Sequence, residues 1–459
     1  MAQSVAIVGA GIGGLTAAYR LMNAGIKSVI FEASHRVGGR ILTRQFDDNT
    51  KYELGAEFID SNHLDIIDLI RELGLELVDI GQRQDSNTKY FVIDYDIPSN
   101  PICEYIKTDI FADYQKIFPL VLADRLACWP DEDYNPSNPS VIKFNDIDMA
   151  TYIDDLCQCL RSDKNGSISK MAQLLKMVYL SETGVEVNLQ SSLNLILMMG
   201  FSDYHQPNWF GLSNEMFKLK NGTGSLIDKL TKILSESNLC DIRLNTPIVK
   251  IKKIDNQYQL TTSSNTTHDY QFIIMTIPFQ VYDQIDYAEA QFDVIKQQVI
   301  QTAKLGCCTK FAVQFREKFW DTESFYMTNQ HQSMFVYQPD KTKPFLIFYL
   351  AGNRAKTIDS VTELFDELKK IYPKFDQSSI IINMDTFDWT NCEWCRGAYS
   401  TYLTGQYTTI VGKEYDWSNN CSFVGENCDI EFQGYMNGAV LTANAATDRI
   451  ISICQKNGN

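Results

Sequence analysis

The sequence predicts an α/β protein in which a parallel-sheet domain, built from separated stretches of the chain, is interrupted by a mainly helical insertion and a mixed-sheet domain. Three observations carry that reading. The apolar run Val5-Ala6-Ile7-Val8 passes directly into Gly9, Gly11 and Gly14 at G-x-G-x-x-G spacing, and a helical pattern from Leu15 to Asn23 follows. Residues 84–215 then lose this character, with Pro98, Pro101, Pro130, Pro136 and Pro139 punctuating helical stretches. Strand-like runs return near Phe217 and dominate from about residue 285 to 393.

The glycine turn has the chemistry of a dinucleotide cradle. Gly9 allows the tight turn, Gly11 lets the backbone approach a pyrophosphate, and Gly14 lets the helix pack on its strand with its N-terminus toward the anion; Gly13 is counted with them as cofactor-binding. A second strand, Ser28 to Phe31, ends on Glu32, where a carboxylate can hold ribose hydroxyls. Next, Arg36-Val37-Gly38-Gly39-Arg40 offers backbone donors and guanidinium groups as a second anion clamp.

Composition limits the partners. The chain has 459 residues, 44% hydrophobic and 12% aromatic, enough for a large core and two intertwined domains. With 41 Lys and Arg against 57 Asp and Glu, the net charge is -16, which argues against nucleic acid or an anionic membrane as partner. No apolar run reaches membrane-spanning length, and Met1 lies too close to the first strand for a secretory signal, so a soluble cytoplasmic protein is expected. The 12 cysteines are expected to be mostly reduced. The pairs Cys392/Cys395 and Cys157/Cys159 lack the companions of a zinc site, and the five scattered histidines form no readable metal site or triad, so no metal is expected.

The unit from Val5 through Glu32 to Gly39 and Arg40 resembles the opening of the flavin-containing amine oxidase superfamily, which includes monoamine, L-amino-acid and polyamine oxidases. Gly55-Ala56-Glu57-Phe58 resembles its loop beside the flavin ring. Further on, Ile66 to Leu73 reads as a helix closed by Gly74, Ile147 to Leu160 and Lys170 to Leu180 as helices, and Tyr204, Trp209 and Phe210 as candidate funnel lining. Ser225 to Leu234 reads as a helix, and Ile242 to Ile251 as paired short strands around a turn, with Val249 at the family's adenine-holding position. Strands are predicted at Thr309–Phe315, Ser333–Tyr337, Pro344–Leu350 and Ile380–Trp389, and a helix at Ser360–Ile371. The expected division is a discontinuous Rossmann-like FAD-binding domain (1–83, 216–284 and 394–459), a helical insertion walling a substrate funnel (84–215) and a mixed-sheet substrate domain (285–393).

The resemblance also implies roles. Lys310 matches a lysine that organises water near flavin N5, and Trp389 a tryptophan packed by the flavin. Tyr399 and Tyr435 match the two walls of an aromatic substrate cage. Gly425, Glu426, Tyr435 and Met436 fall in the C-terminal flavin signature, where a helix N-terminus favours the charge that reduction deposits. Some members tether flavin to a cysteine just before the cage tyrosine; here that residue is Ala398, so FAD is expected to bind noncovalently unless Cys395 or another thiol substitutes.

The expected activity is oxidative deamination of a primary amine, with electrons passed through FAD to O2 and hydrogen peroxide released. An L-amino-acid substrate remains open, although Glu57 and Phe58 stand where several amino-acid oxidases place a carboxylate-binding arginine; Arg354, Arg396 or an arginine in the helical insertion could replace it. A diamine remains open too, with Glu57 facing the second ammonium. From another class, a redox-inactive flavin-binding scaffold shares the cofactor motifs. A homodimer is also open.

Overall fold

A computed structural model describes residues 4–81, 89–93, 102–105, 107–131, 133–160, 169–200, 209–320, 324–328, 334–340, 342–357, 362–372, 375–376 and 381–457. At its centre is a five-stranded parallel sheet in the spatial order Cys421–Phe423, Phe272–Met275, Ser4–Val8, Lys27–Phe31, Cys240–Arg243. The first strand lies in the middle because its side chains, Val5, Ala6 and Ile7, are apolar on both faces and fully buried. The chain leaves it toward Lys27–Phe31 on one side and returns to Phe272–Met275 on the other. That reversal opens a crevice at the carboxyl end of the first strand, where open α/β sheets bind ligands.

Helix Ile12–Asn23 covers one face together with the C-terminal helix Met436–Asn457 and helix Gly224–Ser235. On the other face lies a three-stranded antiparallel sheet, Ile248–Ile254, Gln257–Thr262 and Thr267–Tyr270. The two runs read as one hairpin from Ile242 to Ile251 therefore belong to different sheets. Cys240–Arg243 pairs in parallel with Lys27–Phe31, while Ile248–Ile254 pairs with Gln257–Thr262. Local alternation identified two strands but carried no information about their partners.

A second, four-stranded antiparallel sheet has the order Met334–Tyr337, Phe345–Ala351, Cys308–Phe315, Ile381–Asp388. Its core strand Cys308–Phe315 is buried along its whole length. The helical stretch contains Lys107–Cys128, Pro139–Asn145, Met149–Leu156, Lys170–Thr183 and Ser192–Gly200. Sequence sets several of these starts. Asn138, Asp148 and Ser169 each accept a backbone N–H of the first turn, and Pro139 occupies a helix-opening position where its missing N–H costs nothing. Two strands that periodicity did not reveal, Lys89–Ile93 and Ile102–Tyr105, precede these helices and form a sheet with Ser324–Thr328. Tyr204 lies outside the described residues. Among the described residues no helix is long and apolar enough to cross a membrane, and the described cysteines are free thiols.

Candidate active site

One cavity of about 1790 Å³ begins at the first strand and ends among the helices of the insertion. It exceeds the roughly 1,000 Å³ upper range of ordinary small-molecule sites, so it has room for a dinucleotide-sized body and a substrate. Of the residues expected at the cofactor or the chemistry, Gly9, Gly11, Gly13, Glu32, Arg36, Gly39, Arg40, Gly55, Ala56, Glu57, Phe58, Lys310, Trp389, Tyr399, Gly425, Glu426, Tyr435 and Met436 share its wall; Gly14 and Val249 do not.

At the near end the glycines divide the labour. A side chain on Gly14 would place its Cβ 2.1 Å from the Gly9 carbonyl oxygen, so this glycine sits behind the wall and lets helix and strand close together. A Cβ on Gly11 would meet no protein atom within 4 Å, so the space beside it is open to a ligand. The second glycine loop presses on the first. Gly38 N–H donates to Ala10 O at 2.8 Å, and a Cβ on Gly39 would come 3.1 Å from Gly11 Cα.

Glu32 accepts from Ala10 N at 2.7 Å through one oxygen and from Ser34 N and Oγ through the other, which fixes its carboxylate at the cavity edge. Arg36 is turned toward its own loop, donating to the carbonyls of Val37, Gly39 and Ile41. Arg40 donates to Ala398 O at 2.7 Å and pairs with Glu426. Glu426 in turn accepts from Ser400 Oγ and Gly434 N, tying three remote segments together. Its carboxylate is thus committed mainly within the protein. Val249 is set back: its carbonyl accepts from Asp286 N, while Asn245, Pro247 and Ile248 line the wall there.

At the far end, Lys310 projects from the buried strand Cys308–Phe315 and donates to Gly55 O at 2.8 Å. An ammonium has three donors, so this bond leaves capacity for water. A Cβ on Gly55 would lie 2.2 Å from Arg40 O; only glycine lets this loop close against the second clamp. Trp389 Nε1 donates to Leu54 O at 2.6 Å, locking the indole edge-on to the same loop. Glu57, considered as a partner for a second ammonium, is buried and pairs with Lys218 at 2.6 Å.

The two tyrosines come from segments that pass close together, since a Cβ on Gly434, next to Tyr435, would lie 3.8 Å from Tyr399 Cβ. Tyr399 Oη donates to Ser181 O at 3.1 Å, and Tyr435 Oη lies 3.5 Å from Glu182 Oε1. Burial pushes both phenols well above their ordinary value, so they stay neutral. His63 packs on Tyr435 with ring centroids 4.8 Å apart. Its Nδ1 accepts from Asp60 N at 3.0 Å, so the neutral ring carries its proton on Nε2, 3.3 Å from Asp60 Oδ2. Burial holds His63 down at about 4, and that backbone bond would be lost on protonation of Nδ1.

Sequence reading passed over Asp60, His63, Glu182, Glu215 and Lys218, because no spacing marks them. Asp60 with His63, Glu215 with Lys218, and Glu182 come from three separate segments, and only the fold sets Asp60, His63, Glu182 and Glu215 on one cavity wall and pairs Lys218 with Glu57 of that wall. Cys392 and Cys395 also line the cavity. A hydrogen bond from Cys395 holds the Cys392 thiol down at about 6, and the same contact pushes Cys395 up.

Comparison with known proteins agrees with this geometry. The chain is 20% identical over 467 residues to a pseudooxynicotine dehydrogenase from a Pseudomonas species, covering 99% of this chain and 87% of that one. It is 21% identical over 479 residues to the flavin-containing amine oxidase B of Sus scrofa, covering 97% and 86%. Its fold matches cyclohexylamine oxidase from Brevibacterium oxydans with a TM-score of 0.80 at 18% identity, covering 99% of this chain and 100% of that one. The family model for flavin containing amine oxidoreductases matches residues 12–451, and this chain belongs to that family of FAD-dependent enzymes acting on amines.

Proposed function

We propose that the protein oxidises a primary amine to its imine, which water hydrolyses to an aldehyde and ammonia, with O2 reduced to hydrogen peroxide. One observation carries this reading: Lys310, Trp389, Tyr399 and Tyr435, from distant parts of the sequence, share a cavity with the Gly9, Glu32 and Arg40 cradle. FAD fits that cavity, because the open space beside Gly11 and the fixed Glu32 carboxylate answer a pyrophosphate and a ribose. Gly9, Gly11, Gly13, Gly39 and the N-terminus of Met436–Asn457 would hold it, with Arg36 and Arg40 bracing the loops. Bound FAD supplies the two-electron acceptor for the carbon bearing nitrogen and passes the pair to oxygen.

The protein's own groups do the rest. Tyr399 and Tyr435 present neutral rings that confine the free amine and attract its cationic form as it enters. Lys310 holds water near the reacting end and provides the positive charge that favours reduction of oxygen. Ala398 offers no thiol beside Tyr399, which supports noncovalent FAD. Acid precipitation is expected to release all of the flavin.

A simple amine is favoured over an amino acid. Arg354 pairs with Glu363 and Arg396 with Asp283, and neither lines the cavity. Arg36, Arg40 and Lys310, the described lysine and arginine side chains that do line it, are bonded within the cofactor loops. The test is anaerobic mixing with a panel of amines and L-amino acids. The yellow flavin absorbance should bleach with an amine and return with air, with one peroxide formed per amine consumed. Flavin that stays yellow throughout would identify a redox-inactive scaffold, and bleaching confined to amino acids would overturn the preference.

A further inference from the structure

The turn between Trp389 and Tyr399 carries a C-x-x-C pair that amine oxidation does not use. Cys392 O accepts from Cys395 N at 3.2 Å and from Arg396 N at 2.8 Å, so the chain folds tightly back there. Such a turn brings the Cα atoms of its first and fourth residues within about 7 Å, a span that a disulfide can close. Both sides of the turn are pinned. Gly397 N donates to Trp389 O at 2.9 Å and Ala398 N to Gly306 O at 2.8 Å, while Arg396 takes a left-handed backbone at φ +53° and its side chain pairs with Asp283.

The two sulfurs differ as an attacking and a resolving thiol must. Cys392 is half-buried and Cys395 buried, and both line the cavity, packed with Trp389, Ala398 and Tyr399. The Cys395 thiol donates to the Cys392 sulfur, the amides of Trp394 and Cys395 also point at it, and the Arg36 guanidinium adds positive charge, so that Cys392 is held down at about 6 despite its burial. Its thiolate therefore predominates at neutral pH, and the thiolate is the nucleophile. Cys308, a third sulfur of the same wall, lacks this support, and burial pushes it up to about 12. Among the described residues no third His, Cys, Asp or Glu joins the pair in a group that could hold a metal ion.

We propose that Cys392 and Cys395 form a reversible redox site oxidised by hydrogen peroxide, with Cys392 attacking and Cys395 resolving. The Cys392 thiolate attacks one peroxide oxygen: an S–O bond forms, the O–O bond breaks, and the departing hydroxide takes a proton from solvent, leaving a sulfenic acid. The Cys395 sulfur then attacks the oxidised sulfur. An S–S bond forms, the S–O bond breaks, and the hydroxyl leaves as water with the Cys395 proton. Two thiols and one peroxide thus give one disulfide and two waters, the sulfurs losing the two electrons that the peroxide gains. A local source of peroxide rests on the amine-oxidation reading, which releases it into the same cavity; the reactivity of the pair does not.

The experiment treats the FAD-loaded enzyme with hydrogen peroxide, alkylates the remaining thiols and maps the cysteines by mass spectrometry. A crosslink between Cys392 and Cys395, lighter by two hydrogens and reversed by dithiothreitol, is expected before the exposed Cys159 is oxidised. In Cys395→Ser, Cys392 should stop at a sulfenic acid that dimedone traps, and in Cys392→Ser, Cys395 should stay a thiol. Oxidation that reaches Cys159 first, or that reaches Cys395 as fast in Cys392→Ser as in the wild type, overturns the site. A second arm runs turnover on an amine that bleaches the flavin, with and without catalase, and the crosslink is expected only without it. Turnover that releases peroxide without crosslinking the pair overturns the link to the enzyme's own product. If no amine yields peroxide, the amine reading fails, while the added-peroxide arm still decides the pair. Should a variant fail to fold, the order of oxidation in the wild type decides alone.

Discussion

Single side chains at this site are defined by what they touch, and their predicted effects follow from it. Lys310 donates to a backbone acceptor, Gly55 O, at 2.8 Å. Lys310→Met should therefore keep its flavin while reoxidation by O2 slows by about tenfold or more, measured by stopped-flow absorbance. Equal reoxidation rates would remove the assigned role. Glu182 makes a stability prediction as well. Its folded-state value is raised to about 8 from an ordinary 4.5, so the native protein holds a proton that the unfolded chain has already given up. That group stabilises the fold fully below 4.5, and its contribution is lost as pH rises through about 8. Thermal melts of the ligand-free protein should show Glu182→Gln gaining on the wild type across that window, by a few °C on the order expected for a chain this long. A pH-independent difference would contradict the protonated carboxyl.

At the level of elements, the strand–turn–helix unit separates packing from binding. In Gly14→Ala the new methyl would lie 2.1 Å from the Gly9 carbonyl oxygen, so helix Ile12–Asn23 must move off its strand. This variant should lose about 1–3 kcal/mol or more of stability, the usual cost of overpacking. In Gly11→Ala the methyl meets no protein atom within 4 Å. The apoprotein should melt like the wild-type apoprotein, yet FAD affinity should fall by about tenfold or more, because the methyl occupies the approach to the phosphates. Fluorescence titration and apoprotein melts read the two effects separately, and a matching loss of stability in both variants would refute the division. This unit was legible in the sequence because its turn chemistry is local. The neighbouring error has the converse cause: Cys240–Arg243 and Ile248–Ile254 are close in sequence, but their hydrogen bonds go to different sheets.

Across the whole molecule, the cavity is assembled from segments that begin at Val8 and end at Ala439, and Glu426 links Arg40, Ser400 and Gly434 within it. A ligand that fills such a space stabilises every segment that touches it. Removing FAD should lower the melting temperature, and adding FAD back should restore it in a concentration-dependent way, whereas NAD should not. Restoration by NAD would contradict the assignment of the far end of the cavity to a flavin.

The sequence by itself determined the glycine turn, its helix and the family, because turn geometry and helix periodicity depend on residues a few positions apart. It also singled out Lys310, Trp389, Tyr399 and Tyr435, which the fold brings to one cavity. Only the tertiary structure decided the sheet order, the pairing of Glu57 with Lys218, and the placing of Asp60, Glu182 and Glu215 on the wall of one cavity. The physical reason is that charge acts through space: an acidic residue at the end of a helix has no distinguishing pattern along the chain, and its function depends on which other charges and rings the fold sets beside it.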